Sequence, residues 1–232
     1  APWKSWLPLI VLVWVVRRWL QIVLADASVG GGFFNGLLVL GMAIRSDEEL
    51  AQKVAEASAL LQEIQDYVGR DFSKPVRIRF PRGYLRTAAE ARGRIPFIKD
   101  ANLRSNVSYT MLLSDVQHWL LVRTDLSGTA KEMIIKLQMF LLGSIVESLT
   151  KVYLKGICGG NFCKRTAYLK DHGIISEELQ TDIDWLWDMR NKMHIFQVDN
   201  SEWQSADYTV ANHNRAVKAF KGLLERLNGP TV

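Results

Sequence analysis

A chain of 232 residues, 48% of them apolar and 23% charged, is long enough to bury a sizeable core, either as one large domain or as a smaller domain with an extension. Two cysteines, Cys158 and Cys163, are too few for a disulfide scaffold, which excludes the small cystine-stapled classes and makes a reducing cytoplasm the default location. The net charge of +5 is modest, but Arg70 to Arg104 holds ten Lys and Arg against three acids, so one segment accounts for the basicity.

Residues 1–45 read as an apolar N-terminal extension. Trp6 to Val16 is apolar apart from Pro8, Arg17 and Arg18 follow, and apolar residues resume from Trp19 to Ala25. The first run is too short to span a bilayer. Read through the arginines, Leu7 to Ala25 reaches spanning length, but two near-central Arg cost about 5 to 7 kcal/mol on the insertion scale, which the surrounding Leu, Ile and Val only roughly offset. Val29 to Ile44 is uncharged but short and rich in glycine. Residues 1–44 therefore leave two readings open, contact with a membrane or helices packed on the domain or on a partner.

Residues 46–105 divide into a helix and a basic irregular segment. Asp47 to Tyr67 has strong helix formers, acids in its first turn and Leu50, Val54, Ala57, Leu61 and Ile64 at helical spacing, with Ser46 as N-cap. The next stretch holds Pro75, Pro81 and Pro96 and an alternating piece, Val76, Ile78 and Phe80, which predicts irregular chain with at most one short strand. Arg77, Arg79, Arg82 and Arg86 lie here among Phe72, Phe80, Tyr84 and Phe97. Arginines that meet phosphates, interleaved with aromatics that stack on bases, suit single-stranded RNA. A solvated loop or contact with anionic lipid heads suits the same residues.

Residues 106–232 carry a helical signal throughout. Helices are predicted over Asn106 to Leu126, over Ser127 to Gly156 with Thr129 and Glu132 spaced as a capping box, over Arg165 to His172, over Ser176 to Phe196 and over Val210 to Leu227. The fold class is all-α, a bundle of four to five helices. "CGGNFC", Cys158 to Cys163, reads as an inter-helix loop, since no second cysteine pair completes a zinc site. Gly30 to Gly32 lacks the Gly-Lys-Ser/Thr of a phosphate loop, and no hydrolase triad is legible. His118 and His213 read as lone structural histidines. No metal and no cofactor is implied.

The most patterned stretch is "WLWDMRNKMHIFQV", Trp185 to Val198. At 100° per residue, Trp185, Leu186, Met189, Met193 and Phe196 share an apolar arc, while Asp184, Asp188, Asn191 and Lys192 fall opposite. Arg190 and His194 lie one turn apart on a shared edge beside Ile183 and Trp187. Histidine exchanges a proton near neutral pH and arginine holds phosphate, so the pair suits RNA cleavage through the ribose 2′-OH without a metal.

"RNKMH", Arg190 to His194, resembles the signature of the HEPN superfamily, small all-α domains of which many are metal-independent endoribonucleases. The setting is similar too: an earlier helix "LLGSIVESLTKVYLK", a connection "YLKDHGIISEEL", the motif helix, then "DYTVANHNRAVKAFKGLLERL". The resemblance covers about Thr129 to Leu227. It implies Arg190 and His194 as catalytic residues, Asn191 as the supporting polar residue, Glu147 as a group that orients Arg190, and a homodimer with both motifs facing one cleft. Lys192, inside the motif, joins the RNA-binding set, and Lys151 is the other partner open to Glu147. The family usually leaves a longer gap between arginine and histidine than the Asn191, Lys192 and Met193 found here. Two functions remain open: a toxin-like or phage-defence-like endoribonuclease with an antitoxin or regulatory protein as partner, and a non-catalytic helical adaptor that binds RNA, a nucleotide or a protein.

Overall fold

The computed structural model describes residues 43–192 and 206–229, which form seven α-helices and no strand. Contacts divide the chain into two units, Ala1–Ile78 and Arg79–Val232. The first unit contributes α1, Asp47–Val68. Ser46 caps it by accepting from the Glu49 N–H, Asp47, Glu48 and Glu49 oppose the positive end of the helix dipole, and Gly69, at φ 58°, stops it. None of its residues is buried, and Leu50, Val54, Leu61 and Ile64 are 39% to 56% exposed. Among the described residues, caps and propensity hold α1, not a core.

The second unit is a bundle of α2 (Ala88–Gly93), α3 (Ala101–Arg123), α4 (Gly128–Tyr153), α5 (Phe162–Asp171), α6 (Glu177–Asn191) and α7 (Val210–Asn228). Its axis is α4, which packs against α3, α5, α6 and α7. Ile135, Met139, Leu142, Ile145, Val146 and Leu149 are all at most 2% exposed, as expected of a helix with neighbours on most sides. By length and composition α4 would also cross a membrane, and half of its apolar window is buried within the protein.

Residues 79–105 belong to this bundle by packing. Thr87 and Glu90 form a full capping box at the start of α2, a helix that the proline-rich sequence concealed. Ala91, Ile95 and Ile98 are 0% exposed, and Asn228 at the end of α7 donates to the Arg94 carbonyl at 2.6 Å. The stretch from Val76 to Phe80 is irregular chain and forms no strand. No other strand is present among the described residues to pair with it, and Phe80 packs instead on Trp119, ring centroids 4.8 Å apart. The capping box expected at Thr129 and Glu132 is absent too. The α4 N-cap is Ser127, without a side-chain bond, and Gly128, at φ 57°, makes the turn into the helix.

Two glycines on the helix faces differ in what surrounds them. A Cβ on Gly143 of α4 would lie 2.7 Å from Arg190 Cβ and 3.1 Å from the Leu186 carbonyl oxygen, both fixed parts of α6. A Cβ on Gly222 of α7 would lie 3.2 Å from Leu179 Cδ1, the movable end of a side chain. Ala for Gly gains about 1 kcal/mol of helix propensity at either site, but overpacking costs about 1 to 3 kcal/mol where nothing can yield. Urea denaturation is therefore predicted to show a net loss of up to about 2 kcal/mol for Gly143→Ala and no loss, or a gain of up to about 1 kcal/mol, for Gly222→Ala.

Candidate functional site

The site indicated by sequence lies at the C-terminal end of α6. Ser176 caps the helix by accepting from the Leu179 N–H, and Ile183, Leu186 and Met189 anchor it at 0%, 0% and 3% exposure. Because α6 packs on α4, α5 and α7 at once, its covered surface is wider than one stripe. Ile183, placed by periodicity on the edge with Arg190, is therefore fully buried. Asp184, expected in solvent, is half-buried and accepts from Thr166 Oγ1 of α5 at 2.7 Å. Burial raises its carboxyl pKa above the usual range, Asp188 adds to this, and the Thr166 hydrogen bond opposes it.

Arg190 stands at the rim of this packing. Its stem crosses α4 at Gly143, and its Nη2 lies 3.2 Å from Glu147 Oε2, one turn further along α4. Nη1 donates to Asn191 Oδ1 at 2.9 Å, and the guanidinium carbon sits 6.0 Å from the Phe140 ring centroid. The Nε is buried without a hydrogen-bond partner among the described residues. The Arg190 and Glu147 side chains are 30% and 33% exposed, so Glu147 is less buried than its apolar helix suggested. The result is a cation fixed at its base, braced on two sides and open to solvent at its tip. Lys192, exposed, is the C-cap of α6. His194 lies outside the described residues, as do Met193, Phe196 and residues 1–42, on which the membrane reading rests.

The basic segment is less uniform than its sequence. Arg77 belongs to the first unit, while Arg79, Arg82 and Arg86 belong to the second. Arg77, Arg79 and Arg82 are exposed, whereas both Nε and Nη2 of Arg86 bond the carboxylate of Asp115 on α3. Of the interleaved aromatics, Phe72 is 96% exposed, but Phe80 packs on Trp119, Phe97 on Tyr153, and Tyr84 is half-buried. Core packing has taken most of the rings proposed to stack on bases. Cys158 and Cys163 are free thiols, and burial raises the pKa of Cys163, with Asp184 and Asp188 adding to it. No group of three or more His, Cys, Asp or Glu among the described residues is placed to hold a metal.

His118, half-buried, and His213, buried in the core, are distant in sequence but meet. His213 Nε2 is 2.9 Å from Gln138 Oε1, and Gln138 Nε2 reaches the Ser114 carbonyl and hydroxyl oxygens at 3.5 Å, a buried polar chain that joins α7, α4 and α3. The two imidazoles stack with centroids 5.5 Å apart. Burial lowers both pKa values; Lys221 adds to this at His118, and at His213 an Asn214 hydrogen bond opposes it. Sequence offered no sign of this meeting, because periodicity within a helix says nothing about which faces oppose each other.

No family model, curated protein or solved structure matches this chain.

The Glu147 and Arg190 side chains are each about one-third exposed, so their pair contributes at most about 1 kcal/mol. Glu147→Gln is accordingly expected to change the free energy of unfolding by less than about 1 kcal/mol, as urea denaturation would show. The histidines set a pH dependence. Unfolded, each takes up a proton near pH 6.5; folded, each does so only at lower pH. Their contribution is complete above about pH 6.5 and is lost as pH falls below it. Urea midpoints between about pH 7.5 and pH 5 should fall less steeply for His213→Gln than for the parent, whereas parallel curves would contradict this assignment.

Proposed function

We propose that this protein is a metal-independent endoribonuclease of the toxin-like or phage-defence-like kind, related to the HEPN superfamily and working as a homodimer. The observation that supports this reading is the placement of Arg190. A guanidinium held by Glu147 and Asn191 at the end of a helix anchored by three buried residues, with its side chain 30% exposed, is preorganised to receive a phosphate. His194 follows four positions later in sequence.

In the proposed reaction, His194 accepts the proton of a ribose 2′-OH and the oxygen attacks the adjacent phosphorus. The bond to the 5′ oxygen breaks, that oxygen takes a proton from water, and the products are a 2′,3′-cyclic phosphate and a 5′-hydroxyl. Arg190 neutralises charge that builds on the non-bridging oxygens, and Glu147 and Asn191 act by fixing the plane of its guanidinium. Lys192, Arg79 and Arg82 supply exposed positive charge for the RNA backbone. A second copy that presents the same α6 end would complete the cleft, and a regulatory protein would act by covering it.

The test is incubation of the full chain with single-stranded RNA in excess EDTA. Cleavage to 2′,3′-cyclic phosphate ends is expected, with no cleavage of the matching DNA. His194→Ala and Arg190→Ala are each expected to slow it by at least about 100-fold while the far-ultraviolet circular dichroism stays unchanged. Undiminished cleavage by His194→Ala would remove the assignment, and RNA binding without turnover in the parent would favour a non-catalytic adaptor.

A further inference from the structure

A second site lies on the other side of α4. Gln138 and Leu142 line a half-open cavity of about 290 Å³ that is bordered by the segment from Tyr84 to Arg94, by α3 and by α7. At 100° per residue these two positions point roughly 140° away from Gly143 and Glu147, so the cavity and Arg190 occupy nearly opposite faces of one helix. The volume is at the lower end for ligand pockets and fits a small molecule rather than a macromolecular segment.

Charge around the cavity is unbalanced. Three cations, Arg86, Arg94 and Lys221, face one carboxylate, Asp115, and Asp115 is already engaged by both Nε and Nη2 of Arg86. Arg94 and Lys221 make no ion pair among the described residues. His118 adds no charge near neutral pH, because burial and the neighbouring Lys221 favour its neutral form. Two uncompensated positive charges therefore remain. Burial, then Asp115, raises the Tyr84 pKa above its usual value, so its hydroxyl stays protonated and can donate. Gln138 in the floor is satisfied internally by His213 and Ser114, whereas His118 Nδ1 is buried with no hydrogen-bond partner among the described residues. Beside it, Leu142, Val217 and Phe220 give an apolar wall.

We propose that this cavity binds a small organic phosphate, its phosphomonoester held by Arg94, Lys221 and Tyr84 and its carbon body laid against Phe220, Val217 and Leu142. A phosphomonoester carries close to two negative charges at neutral pH and matches two free cations, whereas a monocarboxylate leaves one unpaired. The apolar wall favours an organic phosphate over the free ion. The site is independent of Arg190 and does not rest on the ribonuclease reading.

Isothermal titration of the full chain with phenyl phosphate, inorganic phosphate and phenol separates charge from carbon body. Phenyl phosphate is expected to bind saturably with one molecule per chain, with inorganic phosphate and phenol each weaker by at least about tenfold. Lys221→Ala, at an exposed position, and Arg94→Ala should each weaken phenyl phosphate by about tenfold. Lys221→Glu should weaken it further. The proposal is overturned if phenyl phosphate shows no saturable binding up to roughly 10 mM. It is equally overturned if Lys221→Glu binds as the parent does while its circular dichroism is unchanged.

Discussion

The arrangement around Arg190 depends on how closely α6 lies on α4. The contact is possible only because residue 143 has no side chain; any Cβ there would meet the Arg190 Cβ at 2.7 Å. The arginine stem is thereby pinned to the surface of α4, and its guanidinium falls within 3.2 Å of Glu147, which shares a face with Gly143 because the two are four residues apart. The order of the effects follows from their sizes. An ion pair at one-third exposure contributes little and would not hold a long side chain in place by itself. Close packing of the stem removes most of its rotamer freedom, and the weak polar contacts to Glu147 and Asn191 then need only choose the orientation of the tip.

The same helix separates two chemically different faces. On one side α4 presents Gly143 and Glu147 to Arg190; on the other it presents Gln138 and Leu142 to a cavity with unpaired positive charge. Between them lies an apolar body packed against four neighbouring helices, which bury half of the apolar window of α4. Within it, the chain from His213 through Gln138 to Ser114 satisfies polar groups that would otherwise be costly to bury. It also fixes the register of α7 and α3 against α4, because a slip of either helix would leave the Gln138 amide unpaired.

Much of the helical order was legible in the residues. Ser46, Ser176 and the run from Val210 mark helix starts that the structure reproduces within one residue, because side-chain caps are local interactions that a few neighbouring residues determine. Periodicity places the start of α3 five residues late, at Asn106, since its cap is Asp100 and its first turn, "ANLRS", has no apolar periodicity. Burial was less legible than helicity. Periodicity with one covered stripe puts Ile183 on its edge and Asp184 opposite it, whereas Ile183 is fully buried and Asp184 meets Thr166 of α5. Residues 79–105 looked irregular because prolines and arginines dominate their composition, yet three small or branched apolar residues, Ala91, Ile95 and Ile98, are enough to seat them in the bundle. The contact between Glu147 and Arg190 was one of two pairings open from sequence. The decision depended on Gly143, whose role becomes visible only when the two helices are placed side by side.

The most direct measurement is a double-mutant cycle on RNA cleavage in EDTA with Glu147→Gln and Arg190→Lys. If Glu147 acts through the guanidinium it orients, the double variant will be no slower than Arg190→Lys alone. If the two losses multiply, or if the parent chain does not cleave RNA at all, then the bracing of Arg190 by Glu147 is not the basis of a ribonuclease site.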